Sequence, residues 1–491
     1  VLSNNIDYLE SAKQRVDLNF VFSSVPGSSG MRPDYSLHHH EYQLHTGSYG
    51  VQFAHDGARY LYFTQNTSYA PSPIRKQRFM DYVAYGICWS TYNRYFTPSV
   101  IGRSITRSGA DASEGLFAML ILSTMPGTQK ELFLKASSKM IETWTTRLPV
   151  AIAATLSGLS QEKEWPSGFR HYPYSDLSIK RNSSYFATLK TLSPRTSAGE
   201  YVNTEGRKSW HLSDGFLYLV LKGNEYAANH FWPTFNWTRF PGTTIEQKPY
   251  PMPAGNAILG TGKVDFSGAT SIDDIGVTAM QFGGVVSTAL PGLETSLQAK
   301  KSWFFFGKEI VCIGSSINCS SDSLVETVID QRRLNSENSP LIIDNTTKST
   351  SLDGEKKYPS AKHIYTDSIG YFFPESSIIY VSRLKQNGRW SELGQGDTVL
   401  RQSPVQTIHI NHGRRPLNGS YAYAMLPAIS QSELAAYSLN PDISILANND
   451  SVHAVYNKAK STTGIVFWKA CSYNGLTVNL PCIILKKTLP G

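Results

Sequence analysis

Along the first third of the chain, apolar residues recur at helical spacing. In Glu131-Leu-Phe-Leu-Lys-Ala-Ser-Ser-Lys-Met-Ile-Glu-Thr-Trp144, the positions Leu132, Leu134, Ala136, Met140, Ile141 and Trp144 predict an amphipathic helix. Asp111-Ala-Ser-Glu114 supplies a cap for another helix, and Pro126-Gly127 ends it. The run Leu116 to Leu122 inside that helix reads as buried. It is far shorter than the ~18 apolar residues that cross a bilayer, and no other stretch approaches that length. After Trp165-Pro166 the texture changes to short β-rich runs separated by Gly, Asn, Asp and Pro. These are Phe216–Leu221, Trp303–Phe306, Ile310–Ile313, Ser377–Val381, Thr407–Ile410 and Tyr421–Leu426. The pattern predicts helices packed in pairs up to residue 165, then antiparallel sheets. A weaker boundary at Pro427 to Ser432 leaves a small β module. Residues 264–276 and 343–356 read as surface loops, and there is no internal repeat.

Composition narrows the class. At 491 residues the chain should hold two or three domains. Its 41% apolar content supports sizeable cores, and 17% charged residues is too few for a coiled coil or a disordered chain. The net charge of +8 suits a polyanionic partner. No dense Lys/Arg block or nucleic-acid module is present, so an acidic polysaccharide fits better than nucleic acid. None of the five cysteines forms a Cys-x-x-Cys pair, which argues against zinc. Cys312 with Cys319, and Cys471 with Cys482, are placed to close short disulfide loops, leaving Cys88 free. Asn-x-Ser/Thr sequons at Asn66, Asn182, Asn236, Asn318, Asn345, Asn418 and Asn449 lean toward a secreted glycoprotein.

The chemistry concentrates in Asp34-Tyr-Ser-Leu-His-His-His-Glu-Tyr-Gln-Leu-His-Thr-Gly-Ser-Tyr-Gly50. Gly47 and Gly50 flank Tyr49, so the backbone is expected to turn sharply there and present the phenol. An imidazole beside a presented phenol moves protons without a metal. His38, His39, His40 and His45 are not read as a metal site, because no further ligand at standard spacing completes a set. Arg103 and Arg107, four apart, would share a helix face and clamp a carboxylate or sulfate.

These segments resemble polysaccharide lyase family 8, the hyaluronate, chondroitin and xanthan lyases. Asp34-Tyr-Ser-Leu-His-His-His40 is similar to the family's Asp-Gly-Ser-Phe-x-Gln-His. Tyr42 through Tyr49-Gly50 is similar to its Tyr-Thr-Gly-x-Tyr-Gly, and Gly102-Arg-Ser-Ile-Thr-Arg107 to its Gly-Arg-x-Ile-Ser-Arg. Asn203-Thr-Glu-Gly-Arg-Lys-Ser-Trp-His-Leu-Ser-Asp-Gly215 resembles Asn-x-Glu-Asn-x-x-Gly-Trp-x-x-x-Asp-Gly, with Gly206 in place of the second Asn. His230-Phe-Trp-Pro-Thr-Phe-Asn236, Pro241-Gly-Thr-Thr244, Lys301–Phe306, Gly314–Ile317, Val325–Val328, His412-Gly413 and Tyr421–Pro427 follow in order.

The resemblance implies an α+β multidomain chain. An N-terminally incomplete α/α toroid would occupy 1–165, a large antiparallel β-sandwich 166–430 and a small C-terminal β domain 431–491. It implies β-elimination on a uronate-containing glycosaminoglycan, hyaluronan or chondroitin, in a cleft between the helical domain and the first sheet. Tyr49 exchanges the proton, as base and then acid, or His40 is the base and Tyr49 the acid. Arg103 and Glu205 complete the catalytic set, with Glu205 orienting Arg103 or holding His40. Arg107, Asn203 and Trp232 contact substrate, and Trp237 is a second sugar platform. No cofactor is required, with a structural calcium as an option, and the protein is expected to be extracellular. It would act as a monomer or together with a missing N-terminal segment. The family's catalytic asparagine lies in an aromatic-rich segment further upstream than Val1. Two alternatives therefore stand: a xanthan-type lyase and a non-catalytic polysaccharide-binding protein.

Overall fold

The computed structural model describes residues 6–143, 163–287 and 289–488. Trp144 of the helix expected around 131–144 lies outside the described residues. The chain divides into two compact units: Val1–Ile105 with Gly109–Pro166, and Thr106–Ser108 with Ser167–Gly491.

The first unit contains helices α1 (Ile6–Asn19), α2 (Tyr49–Thr64), α3 (Pro73–Tyr82), α4 (Ser113–Ser123) and α5 (Lys130–Glu142). One π-helical turn, Val83–Cys88, continues α3. Helix α4 is buried nearly all round, through Gly115, Leu116, Ala118, Met119, Leu120 and Leu122, and packs on α2 and α5. That is the expected fate of an all-apolar helix. Asp111 accepts from the Ser113 amide at its start, so the capping oxygen precedes the helix by two residues.

Contrary to the helical reading, the stretch between α1 and α2 is a three-stranded antiparallel sheet of Gly30–Met31, Leu37–His39 and Gln43–Leu44. Its tight turn places His40 and Glu41 in the left-handed region, at φ 51° and 61°. Two consecutive positive φ values match the right-handed twist of a hairpin.

The second unit is built of antiparallel sheets. One 12-stranded sheet runs along the path Thr244–Gln247, Leu324–Arg333, Arg401–Arg414, Ile369–Gly388, Gly419–Pro427, Ile310–Asn318, Gln298–Phe305, Ile275–Phe282 and Ser267–Ile272, with three further strands branching from Ile369–Gly388. A four-stranded sheet, Gly168–Tyr172 to Phe216–Val220, has three strands buried on both faces. After helix α6 (Gln431–Leu439), closed by a Ser430/Glu433 capping box, comes a four-stranded sheet of Ile443–Asn448, Val452–Asn457, Thr462–Phe467 and Cys482–Lys487. One core, including Val277, Phe304, Val311, Leu434, Val455 and Trp468, joins α6 and this small sheet to the large one.

Two expectations are corrected here. Residues 264–276 and 343–356 are not simply loops: they hold strands Ser267–Ile272 and Thr346–Ser349, and the start of Gly354–Thr366. The disulfides are absent, since all five cysteines are free thiols. Burial pushes the Cys312 thiol up to about 12, whereas Cys319 contacts the Ser296 hydroxyl at 3.4 Å. Cys471 opens a hairpin and Cys482 pairs with Phe467 in the small sheet, and both border one apolar cluster as thiols. Among the described residues, no helix is long and apolar enough to cross a membrane.

Candidate active site

In the helical unit, Tyr49 is the first residue of α2 and is 40% exposed. A helix N-terminus carries positive potential, which suits a group that holds negative charge. The two glycines beside it do not supply the expected sharp turn, as neither has a positive φ. They permit close packing instead. A Cβ on Gly50 would collide with the Tyr82 hydroxyl, and one on Gly47 would sit 2.8–2.9 Å from Phe96, Val100 and Ile101. The Gly47 amide donates to the Val100 carbonyl and the Gly50 amide to the His45 carbonyl. The start of α2 is thus locked against the segment that leads into Arg103.

Three side chains expected from the sequence meet here. Arg103, only 6% exposed, donates from Nη2 to the Tyr49 hydroxyl at 3.0 Å. His40 Nε2 lies 3.4 Å from the same oxygen, and His40 Nδ1 lies 3.5 Å from Arg103 Nη1. A guanidinium only donates, so the near His40 nitrogen Nδ1 is best placed as the acceptor. That leaves the proton on Nε2, facing the phenol oxygen. Both neighbours then donate to one oxygen, the arrangement that suits a phenolate. The Arg103 guanidinium carbon also lies 5.6 Å from the Tyr49 ring centre.

His39 joins this group, which the sequence reading did not expect. Its ring centre is 4.2 Å from that of Tyr49, closer than His40 at 5.2 Å or His45 at 5.1 Å. The run of three histidines was the available signal. Strand alternation obscured it: the strand ends at His39, and the left-handed turn at His40 brings both rings onto Tyr49.

In the β unit, Glu205 is buried and forms a two-pronged pair with Arg107: Nε to Oε1 and Nη2 to Oε2, each 2.8 Å. This corrects one expectation. Arg103 and Arg107 do not share a helix face, because Gly102–Thr106 is a 3₁₀ turn ending before Arg107. Glu205 is presented by a tight turn in which Val202 and Glu205 exchange backbone hydrogen bonds, with Asn203 and Thr204 at φ 54° and 65°. Asn203 is exposed at the tip; its amide donates to Asn256 Oδ1 and its carbonyl accepts from Gln395.

Trp232 is not a sugar platform. It is 7% exposed and packed among Tyr226, Phe235 and Trp237 at 5.2–5.9 Å between ring centres. Trp237 is 3% exposed and donates from its indole to the Trp232 carbonyl. Both are core residues, whose large apolar area outweighs any role at the surface.

Three family models match in succession. The N-terminal alpha-helical domain of polysaccharide lyase family 8 matches residues 1–139, its super-sandwich domain 167–438 and its C-terminal beta-sandwich domain 444–490. Hyaluronate lyase HylB of Enterococcus faecalis is 25% identical, over 95% of this chain and 49% of its own length. Chondroitinase-AC of Pedobacter heparinus is 28% identical, over 97% of this chain and 64% of its own. The solved structure of Paenibacillus xanthan lyase superposes with a TM-score of 0.90 at 25% identity, covering 99% of this chain and 48% of that one. The chain thus spans between about half and two thirds of these relatives. With its helical, super-sandwich and C-terminal parts all matched in order, the chain belongs to polysaccharide lyase family 8.

Proposed function

We propose that this protein is a polysaccharide lyase that cleaves a uronate-containing glycosaminoglycan, of the hyaluronan or chondroitin type, by β-elimination. The observation that carries the reading is the phenol oxygen of Tyr49 held at 3.0 Å by Arg103 and 3.4 Å by His40. Elimination removes the proton on C5 of the uronate and breaks the bond from C4 to the bridging oxygen. The C5–H electron pair becomes the C4–C5 double bond, and the C4–O pair leaves with the oxygen. In this reading Tyr49, as phenolate, takes the C5 proton and then returns a proton to the departing oxygen. Arg103 holds the negative charge on the phenol oxygen between those steps. His40, carrying its proton on Nε2, serves as a donor rather than as the base. Arg107 and Asn203 anchor the acidic chain, and Glu205 fixes the Arg107 fork. Such a polymer is met outside the cell, where we place the activity.

The test is direct. Incubation of the chain with hyaluronan or chondroitin should raise the ultraviolet absorbance of a conjugated 4,5-unsaturated uronate. Saturated ends would indicate hydrolysis, and binding with no absorbing product would indicate a non-catalytic polysaccharide-binding protein. A second reading, a xanthan-type substrate, is favoured by the backbone likeness to the xanthan lyase. Parallel incubation with pyruvylated xanthan side chains separates the two.

A further inference from the structure

Resting on the reading of Tyr49, His40 and Arg103 as an acidic-polysaccharide site, we propose that His39 is a pH-gated anion contact of that site. Its imidazolium adds positive charge beside Tyr49, so affinity for an acidic polysaccharide rises as pH falls through the imidazole range.

The proton transfers assigned above do not use His39, yet its ring is the imidazole nearest the phenol ring, at 4.2 Å with a tilt of 53°. It is held from both ends. Its backbone pairs with Gln43 across the hairpin, and its Nδ1 lies 2.9 Å from the Ser29 hydroxyl. A serine hydroxyl accepts from an imidazolium and donates to a neutral imidazole, so the ring stays in place in either charge state. His39 is also partly exposed, so water solvates its charged form. Tyr49, His40 at 4.6 Å and His45 at 6.3 Å between ring centres are among the groups that face it. Arg103 reaches the same Tyr49 at its hydroxyl. A bound carboxylate beside an imidazole favours its charged form. Binding of a polyanion should therefore take up a proton at this ring.

The experiment uses the full chain with Tyr49→Phe, which keeps the ring and blocks turnover, with and without His39→Gln. Binding of a hyaluronan oligosaccharide is followed by calorimetry in two buffers of different ionisation enthalpy, with a neutral cello-oligosaccharide as control. We expect His39→Gln to weaken hyaluronan binding about 5-fold at pH 5.5 and by less than about 2-fold at pH 8.5. Proton uptake on binding should fall with it. His39→Lys, charged at both pH values, should hold the affinity at pH 8.5. A loss of equal size at both pH values assigns His39 to packing alone and overturns the proposal, as does undiminished proton uptake. Because turnover is blocked, the expected result stands even if the parent chain yields no unsaturated product, an outcome that sinks only the lyase reading. Absence of binding by either variant at any pH overturns both.

Discussion

Two pairs of histidines, one in each unit, sit in opposite surroundings. In the helical unit His39 and His40 are partly exposed and lie against an accessible phenol. In the β unit His409 and His453 are fully buried and held neutral. Burial pulls each of their pKa values down to about 3, with Arg239 adding to the effect at His409 and Lys300 at His453. His453 is fully bonded: Nδ1 to the Ser302 hydroxyl and Nε2 to the Ser315 hydroxyl, each 2.8 Å. Those serines lie on adjacent strands of the large sheet, so His453 pins the small C-terminal sheet to it. The same side chain is thus open to solvent in one unit and a structural tie in the other.

The largest effect that would break this contrast is on Tyr49. Tyr49→Phe removes one oxygen from a part-exposed ring, so the melting temperature should stay put. Turnover should fall by about 10³-fold, the usual worth of a positioned proton-transfer group. Initial rates of unsaturated-uronate formation check it. Retention of most of the rate would hand the base role to His40.

The next effect is on stability. His453→Ala takes the imidazole away from the Ser302 hydroxyl and from Ser315, which keeps its bond to the Asn449 carbonyl, and opens a cavity between sheets, at a cost of about 3 kcal/mol in denaturant unfolding of the β unit. Acid should act on the same group. An imidazole held neutral in the fold gains a proton on unfolding once pH drops below about 6.5, so acid favours the unfolded chain. The stability that His453 and His409 confer is complete above that pH. It is lost as pH falls toward about 3, where the folded imidazoles themselves protonate. Unfolding midpoints at pH 7.5 and 5 should differ more for the parent chain than for His453→Ala. Equal differences would mean that another group sets the acid sensitivity.

The contrast also marks what the sequence could reveal. Helices α4 and α5 and the strands around Phe216, Trp303, Ile310 and Tyr421 were legible because each has a period or an apolar run. Strand Ser267–Ile272 was not, because only one of its residues is a large apolar one and it pairs along one edge only. The nearness of His40, Tyr49 and Arg103 followed from their resemblance to an ordered motif set. The Arg107–Glu205 pair joins residues 98 apart in sequence, and no local spacing encodes that. Trp232 reads as a sugar platform or as core with equal ease until its neighbours are known. Its burial comes from Tyr226, Phe235 and Trp237 closing over it.

The smallest expected effect concerns that long-range pair and sharpens the contrast at its edge. Arg107 is half exposed while Glu205 is mostly covered, so the pair contributes little to stability. What Arg107 offers is shape: two parallel donors 2.8 Å from two carboxylate oxygens fix the plane of the guanidinium. Lysine keeps the charge but loses the fork. Arg107→Lys should therefore leave the melting temperature unchanged and raise KM for an acidic polysaccharide about 3-fold, with kcat within about 2-fold, because a misaimed cation weakens ground-state and transition-state binding alike. A fall in kcat beyond about 10-fold with KM unchanged would mean an interaction made only in the transition state. Arg107 would then belong with Arg103 in the chemistry rather than in anchoring.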